Sequence, residues 1–73
     1  MSSPEMIDVS SSNIARVGYA DEIQELHVRF LNGSLYVYKN VSRGDFDGLL
    51  NAPSVGAYLN RNIKGSYSYE RIE

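Results

Sequence analysis

The chain has no cysteine among its 73 residues, only two prolines and a single histidine. Without cysteine there is neither a disulfide framework nor a thiolate metal site, so the core must be aliphatic and aromatic. One histidine and no thiol reduce the metal vocabulary to carboxylates, and no pair of them sits at ligand spacing with His27. A serine nucleophile would also need His27 as its base. That residue falls in mid-strand beside Arg29, with no acid aimed at it in the predicted pairing. The six glycines are scattered and form no phosphate-cradling loop. These absences argue against an enzyme and against any metal or cofactor. No apolar run approaches the roughly 20 residues that cross a bilayer. The opening MSSPEMIDVSSS carries acids and serines where a leader would carry bases and an apolar stretch. The expectation is a cytoplasmic protein with no membrane segment, in keeping with the lack of cysteine.

A chain of this size folds as one small domain and buries only about 60% of its unfolded surface. Seven Lys and Arg against nine Asp and Glu give a formal charge of −2. That balance disfavours a dedicated duplex-DNA binder, whose affinity comes mainly from phosphate neutralisation. Several acids lie near the ends (Glu5, Asp8, Glu70, Glu73), so the body is nearly neutral and a local basic patch is compatible with it.

Residues 1–11 are short, polar and serine-rich and are expected to form a flexible tail, with the domain over 12–73. NIARVGY has strand character. Ile14 and Val17 cannot share a face of a regular strand, so one lies outside the sheet or an irregularity separates them. Gly18 marks a bulge or a close backbone approach. Leu26 to Leu31 and Ser34 to Lys39 both alternate, and Asn32-Gly33 between them is a strong hairpin signal. A two-residue loop pairs Phe30 with Leu35, Val28 with Val37, Arg29 with Tyr36 and His27 with Tyr38. In that register Leu26, Val28, Phe30, Leu35 and Val37 face a core, and His27, Arg29, Tyr36 and Tyr38 face away from it.

After Val41 the period becomes helical. Phe46, Leu49 and Leu50 recur behind Ser42 as N-cap, with Asp45 and Asp47 in the early turns. Pro53 interrupts this helix. A second follows, capped by Ser54 or Asn51, with Val55, Leu59 and Ile63 on one stripe and Gly65 as its stop. The segment YSYERI suits a last short strand. The predicted fold is α+β: a three-stranded antiparallel meander, two short helices on its aliphatic face, and a short C-terminal strand as an option.

The order of SSSNIARVGY, LHVRFLNGSLYVYKNV and LLNAPSVGAYLNRNIKGSY resembles the KTSC domain, over roughly residues 10 to 67. The resemblance rests on Tyr36-x-Tyr38, Ser54-x-Gly56, the stretch from Asn60 to Ile63-Lys64, and Tyr67. Two positions depart from the family pattern: Ser42 stands where a proline is frequent, and Leu59 where an aromatic is frequent. The family takes its name from the C-terminal domain of certain lysyl-tRNA synthetases and also occurs as small stand-alone bacterial proteins. Its suggested role is RNA binding.

Two functional readings follow. In the first, the chain is a non-catalytic module that binds structured or single-stranded RNA of tRNA-like type. Tyr36, Tyr38, Arg29 and His27 then supply stacking and polar contacts, and Lys39, Arg43, Arg61 and Lys64, with Asn60, meet phosphates. In the second, it is a protein–protein interaction module, self-associating through the tyrosine face or an edge strand. Each residue also has a plainer use. The tyrosines can be buried beneath helices, His27 and Arg29 can be ordinary cross-strand partners, and Arg61 and Lys64 can complement a helix dipole. Ser54 at a helix start leaves a third option, a pocket for a small anion.

Overall fold

The computed structural model describes residues 4–73 of the chain. Its elements in order are β1 (Ile7–Asp8), β2 (Ile14–Ala20), β3 (Glu25–Phe30), β4 (Leu35–Tyr38), α1 (Arg43–Asn51), α2 (Val55–Tyr58) and β5 (Tyr69–Arg71), with a π-helical turn, Leu59–Ile63, continuing α2. The strands form one antiparallel sheet whose spatial order follows the chain, β1-β2-β3-β4-β5. The α+β class holds, but with five strands where a meander of three was expected. The optional C-terminal strand is real and closes the sheet beside β4. The fifth comes from the expected tail, where Ile7 and Asp8 pair with Val17 and Arg16. Of the expected tail over 1–11, positions 1–3 lie outside the described residues.

Strand β2 resolves the phase conflict by an irregularity. Ile14 pairs with Phe30 whereas Arg16 pairs with Arg29, so β2 holds one residue more than β3 there. The bulge brings Ile14 and Val17, three positions apart, into the same core, where both are fully buried. Gly18 is a close approach: a Cβ at this position would lie 2.7 Å from Met6 Sδ and 2.8 Å from the Glu5 carbonyl oxygen.

The hairpin corrects the central expectation. Its loop holds three residues, 31–33, because the Phe30 N–H donates to the Ser34 carbonyl at 2.9 Å. Gly33 takes φ +94° and its N–H donates back to Phe30, a turn finished by one left-handed residue. Asn32 Oδ1 accepts from both the N–H (3.0 Å) and the hydroxyl (2.6 Å) of Ser34, which holds the wider loop. The extra residue moves the register by one: Leu26 faces Tyr38, Val28 faces Tyr36, His27 faces Val37 and Arg29 faces Leu35. Tyr36 and Tyr38 therefore turn inward, and Leu35 and Val37 turn out. Burial area explains why this register is stable. An aromatic ring carries roughly 150–250 Å², so turning the two tyrosines to the inner face, with Tyr38 sealed in the core and Tyr36 half-buried against it, removes more apolar surface from water than turning a leucine and a valine there.

The helices pack on that inner face. Ser42 caps α1, its hydroxyl accepting from Asp45 N at 3.2 Å, and Phe46 and Leu49 point into the core. The Phe46 ring stacks on Tyr19 at a centroid distance of 4.9 Å, and the Tyr19 hydroxyl donates to the Val41 carbonyl at 2.5 Å. Of the two candidate caps for α2 it is Ser54 that serves, accepting from Ala57 N at 3.2 Å. Past Tyr58 the ladder widens: Lys64 N–H donates to the Leu59 carbonyl, five residues back, at 2.8 Å. The wider turn keeps Leu59 and Ile63 together in the core with Val55. Gly65 stands at the expected stop, directly after the C-cap Lys64, but without the left-handed φ of a glycine cap, which among the described glycines belongs to Gly33. The helix end is satisfied through the Ile63 carbonyl, which accepts from both Ser66 N and Tyr67 N at 3.1 Å. Among the described residues no helix is long and apolar enough to cross a membrane.

Candidate functional site

The register shift divides the predicted site residues among three places. Tyr38 is 1% exposed and belongs to the core. Tyr36 is half-buried, edge-on to Phe30 at 5.3 Å and tilted against Tyr69 at 5.7 Å. Tyr69 also meets Tyr38 at 5.4 Å and is the exposed member of this row, at 53%. The two central tyrosines are thus not an open stacking platform and do not share a face with His27 and Arg29. Burial, followed by the neighbouring tyrosines, holds the Tyr38 phenol above its ordinary value of 10.0.

His27, Arg29 and Lys39 occupy the opposite, helix-free face of the sheet, where each has a carboxylate. His27 Nε2 lies 3.5 Å from Glu25, Arg29 Nη1 lies 2.6 Å from Glu73 and Lys39 Nζ lies 3.4 Å from Glu70. Arg16 and Arg29 are cross-strand partners of like charge. Asp8, 3.1 Å from Arg16, and Glu73 offset that repulsion. Between the pairs, Leu35, Val37 and Ile72 line a shallow concavity of about 310 Å³. Arg43, at the start of α1, is held by Asp21 at 2.5 Å and Asp47 at 3.2 Å. Those two carboxylates, Asp47 first, hold its guanidinium above the usual arginine value.

Arg61 and Lys64 differ from most of the cations: among the described residues they have no ion-pair partner, and Arg71, which also lacks one, donates its Nε to the Glu73 backbone carbonyl at 3.0 Å. Both are exposed, as are Asn60 and Asn62, so the π-helical turn shows a polar, cationic surface while Leu59 and Ile63 anchor it from beneath. Next to it, Ala52, Pro53, Ser54, Ala57, Tyr58, Arg61 and Asn62 line a groove of about 210 Å³. Pro53 creates this groove by ending α1 and forcing a break before α2. Sequence reasoning found Arg61 and the cap at Ser54 but missed the apolar wall. Its signal was available in the small residues Ala52 and Ala57 on either side of Pro53-Ser54.

Asp45 fixes the geometry around this groove. Its carboxylate accepts from the Tyr58 hydroxyl at 3.2 Å through Oδ1 and from the Tyr67 hydroxyl through Oδ2, joining α1, α2 and the approach to β5. Gly48 makes the arrangement possible, since a Cβ there would fall 2.8 Å from Tyr58 Cζ. Partial burial and the Asp45 carboxylate keep the Tyr58 phenol protonated above its ordinary range. The three residues lie 13 and 22 positions apart, and no periodicity in the sequence links them. On the other side of α2, Gly56 admits the Asn13 side chain, whose Oδ1 would lie 2.8 Å from a Cβ at that position.

The chain is 37% identical over 68 residues to an uncharacterised protein of Stutzerimonas stutzeri, covering 92% of this chain and 96% of that one. It is 33% identical over 67 residues to a segment of the lysine–tRNA ligase of Nostoc punctiforme. There the match covers 92% of this chain but 12% of the ligase, so the similarity concerns a small part of that enzyme. Among solved structures, the crystal structure of a KTSC domain protein from Yersinia pestis superposes with a TM-score of 0.90 at 28% identity, covering 97% of this chain and all of that one. The family model of the KTSC domain matches residues 10–67, and the chain belongs to the KTSC domain family.

Proposed function

We propose that this KTSC domain is a non-catalytic, cytoplasmic RNA-binding module that meets structured or single-stranded RNA of tRNA-like type through the surface of the π-helical turn. The observation that carries the reading is the pair Arg61 and Lys64. They are cations without carboxylate partners in a chain whose other surface cations are largely ion-paired. An unpaired cation can accept a phosphate without first breaking an internal contact. Asn60 and Asn62 add neutral donors suited to phosphate and sugar oxygens. The similarity to part of a lysine–tRNA ligase supports tRNA as the ligand class. Arg29, Lys39 and Arg43 contribute little here, because their charges are already matched, and His27 lies on the helix-free face beside Glu25.

With so few cations available on the π-helical turn, affinity should be weak and fall gently with salt. A titration of the labelled chain with mixed tRNA at low ionic strength tests this, with shifts expected at Asn60, Arg61, Asn62 and Lys64. Arg61→Ala and Lys64→Ala should each weaken binding across all sequences and lower the salt slope by about 1. Flat shifts at those four residues rule the reading out.

A second reading, protein–protein interaction, draws on the helix-free face. Ile72 is 50% exposed beside Leu35 and Val37, a short apolar strip between ion pairs. It predicts concentration-dependent sedimentation that Ile72→Ser abolishes and salt leaves unchanged.

A further inference from the structure

We infer that the groove at the α1–α2 junction seats one unstacked base of an RNA strand, with the adjoining phosphodiester on Arg61. This assignment rests on the RNA reading above and deepens it by naming the part of the ligand that is recognised and where. The groove measures about 210 Å³, below the roughly 300–1,000 Å³ of sites for drug-sized ligands and on the scale of a single planar ring system. Its walls divide by chemistry. Ala52, Pro53, Ala57 and Tyr58 give it an apolar and aromatic side, and Arg61 and Asn62 give it a polar side. A base needs that combination, a flat apolar contact for its π-face and hydrogen-bonding groups for its edge.

Two features favour a ready-made seat. Tyr58 is tethered through its hydroxyl to Asp45, so the aromatic wall is ordered before any ligand arrives. Asn62 makes no side-chain hydrogen bond within the described residues, which leaves its amide donor and acceptor free for a base edge. The charge count selects the ligand. Arg61 is the single cation lining the groove, which suits the one negative charge of a phosphodiester and not the several charges of a nucleoside triphosphate.

The test titrates the isotope-labelled full chain with three probes: ribose 5-phosphate, a nucleoside 5′-monophosphate and a short single-stranded RNA. The monophosphate and the RNA should shift the amides of Ala57, Tyr58 and Asn62, while ribose 5-phosphate should leave them in place. Ala57→Leu fills the groove; it should abolish those shifts and weaken RNA binding about tenfold, the scale of one lost stacking contact. Lys64→Ala, outside the groove, should weaken RNA binding and retain the base-dependent shifts. Should Ala57→Leu fail to fold, Asn62→Ala serves instead, and it should erase any preference among the four monophosphates. The base seat is overturned, with the RNA reading intact, if ribose 5-phosphate moves the same amides or the groove variants bind RNA like the parent. If no RNA binds at all, both fall together.

Discussion

The two faces of the sheet hold apolar residues by different means. The inner face is sealed by helices, and Val28, Leu26 and Tyr38 are buried there among Leu49, Leu59 and Ile63. The outer face has no helix, yet Val37 is only 6% exposed on it. Its surroundings are the side chains of His27 and Glu70, opposite it on the neighbouring strands, and of Lys39 two positions along the chain, which is ion-paired to Glu70. Similar burial therefore arises from rigid packing on one side and from side chains that can move aside on the other. The lesson concerns energy: a cavity made under helices stays open, whereas one made under long charged side chains can collapse.

Truncations on the two sides should break or confirm that contrast. Tyr38→Ala removes a sealed ring and should cost about 3–5 kcal/mol of stability in urea unfolding. A loss below 1 kcal/mol would show that the helices do not seal that face. Next in size, Gly18→Val pushes a side chain into the backbone of Glu5 and should cost about 1–3 kcal/mol as β1 is forced from the sheet. Loss of slow amide exchange near Ile7 would report it directly. A matched pair sharpens the comparison: Val28→Ala should cost about 2 kcal/mol and Val37→Ala about half of that, although both valines are buried. Equal losses would mean that the ion-paired cover is as rigid as the helices. The smallest effect belongs to Arg29→Ala on the open face, within about 1 kcal/mol because the pair with Glu73 is partly solvated.

Alkaline titration separates the faces in another way. Burial raises the folded-state values of the Tyr19 and Tyr38 phenols above 10.0. A group bound to its proton more tightly when folded stabilises fully below its unfolded value and loses that contribution as pH climbs through the folded one. Melting temperature should hold up to about pH 10 and decline above it. Tyr38→Phe should flatten the decline, and substitutions at His27 on the outer face should not alter it.

Much of the fold was legible because several signals agreed locally. Ser42, and Ser54 as one of two candidates with Asn51, stand before apolar periodicity where caps are expected, and both serines cap. The clash of phase between Ile14 and Val17 left two options, a residue outside the sheet or an irregularity, and the bulge is the second of them. Strand β4 was not legible in the same way: LYVY is apolar at every position, so alternation alone cannot choose a face. The choice fell to the loop, where Asn-Gly suits a two-residue turn and equally the last positions of a three-residue one. That single residue reversed the assignment of Tyr36 and Tyr38 and with it the first candidate site. Arg61, Lys64 and Asn60 were visible as polar residues around Leu59 and Ile63, but what distinguishes them could not be seen. Several acids that neutralise the other cations come from far along the chain, as Glu70 and Glu73 do for Lys39 and Arg29.

Asp45 receives hydroxyls from Tyr58 and Tyr67, and this has a consequence for how the molecule comes apart. Even with the π-helical turn that continues it to Ile63, α2 is below the length that survives alone in water, so it persists only while its neighbours hold it. One carboxylate moors it both to α1 and to the segment leading into the final strand. Fraying of the helical layer piece by piece is thereby suppressed, and amides from Val55 to Ile63 should open to solvent together with those of α1, as one cooperative unit.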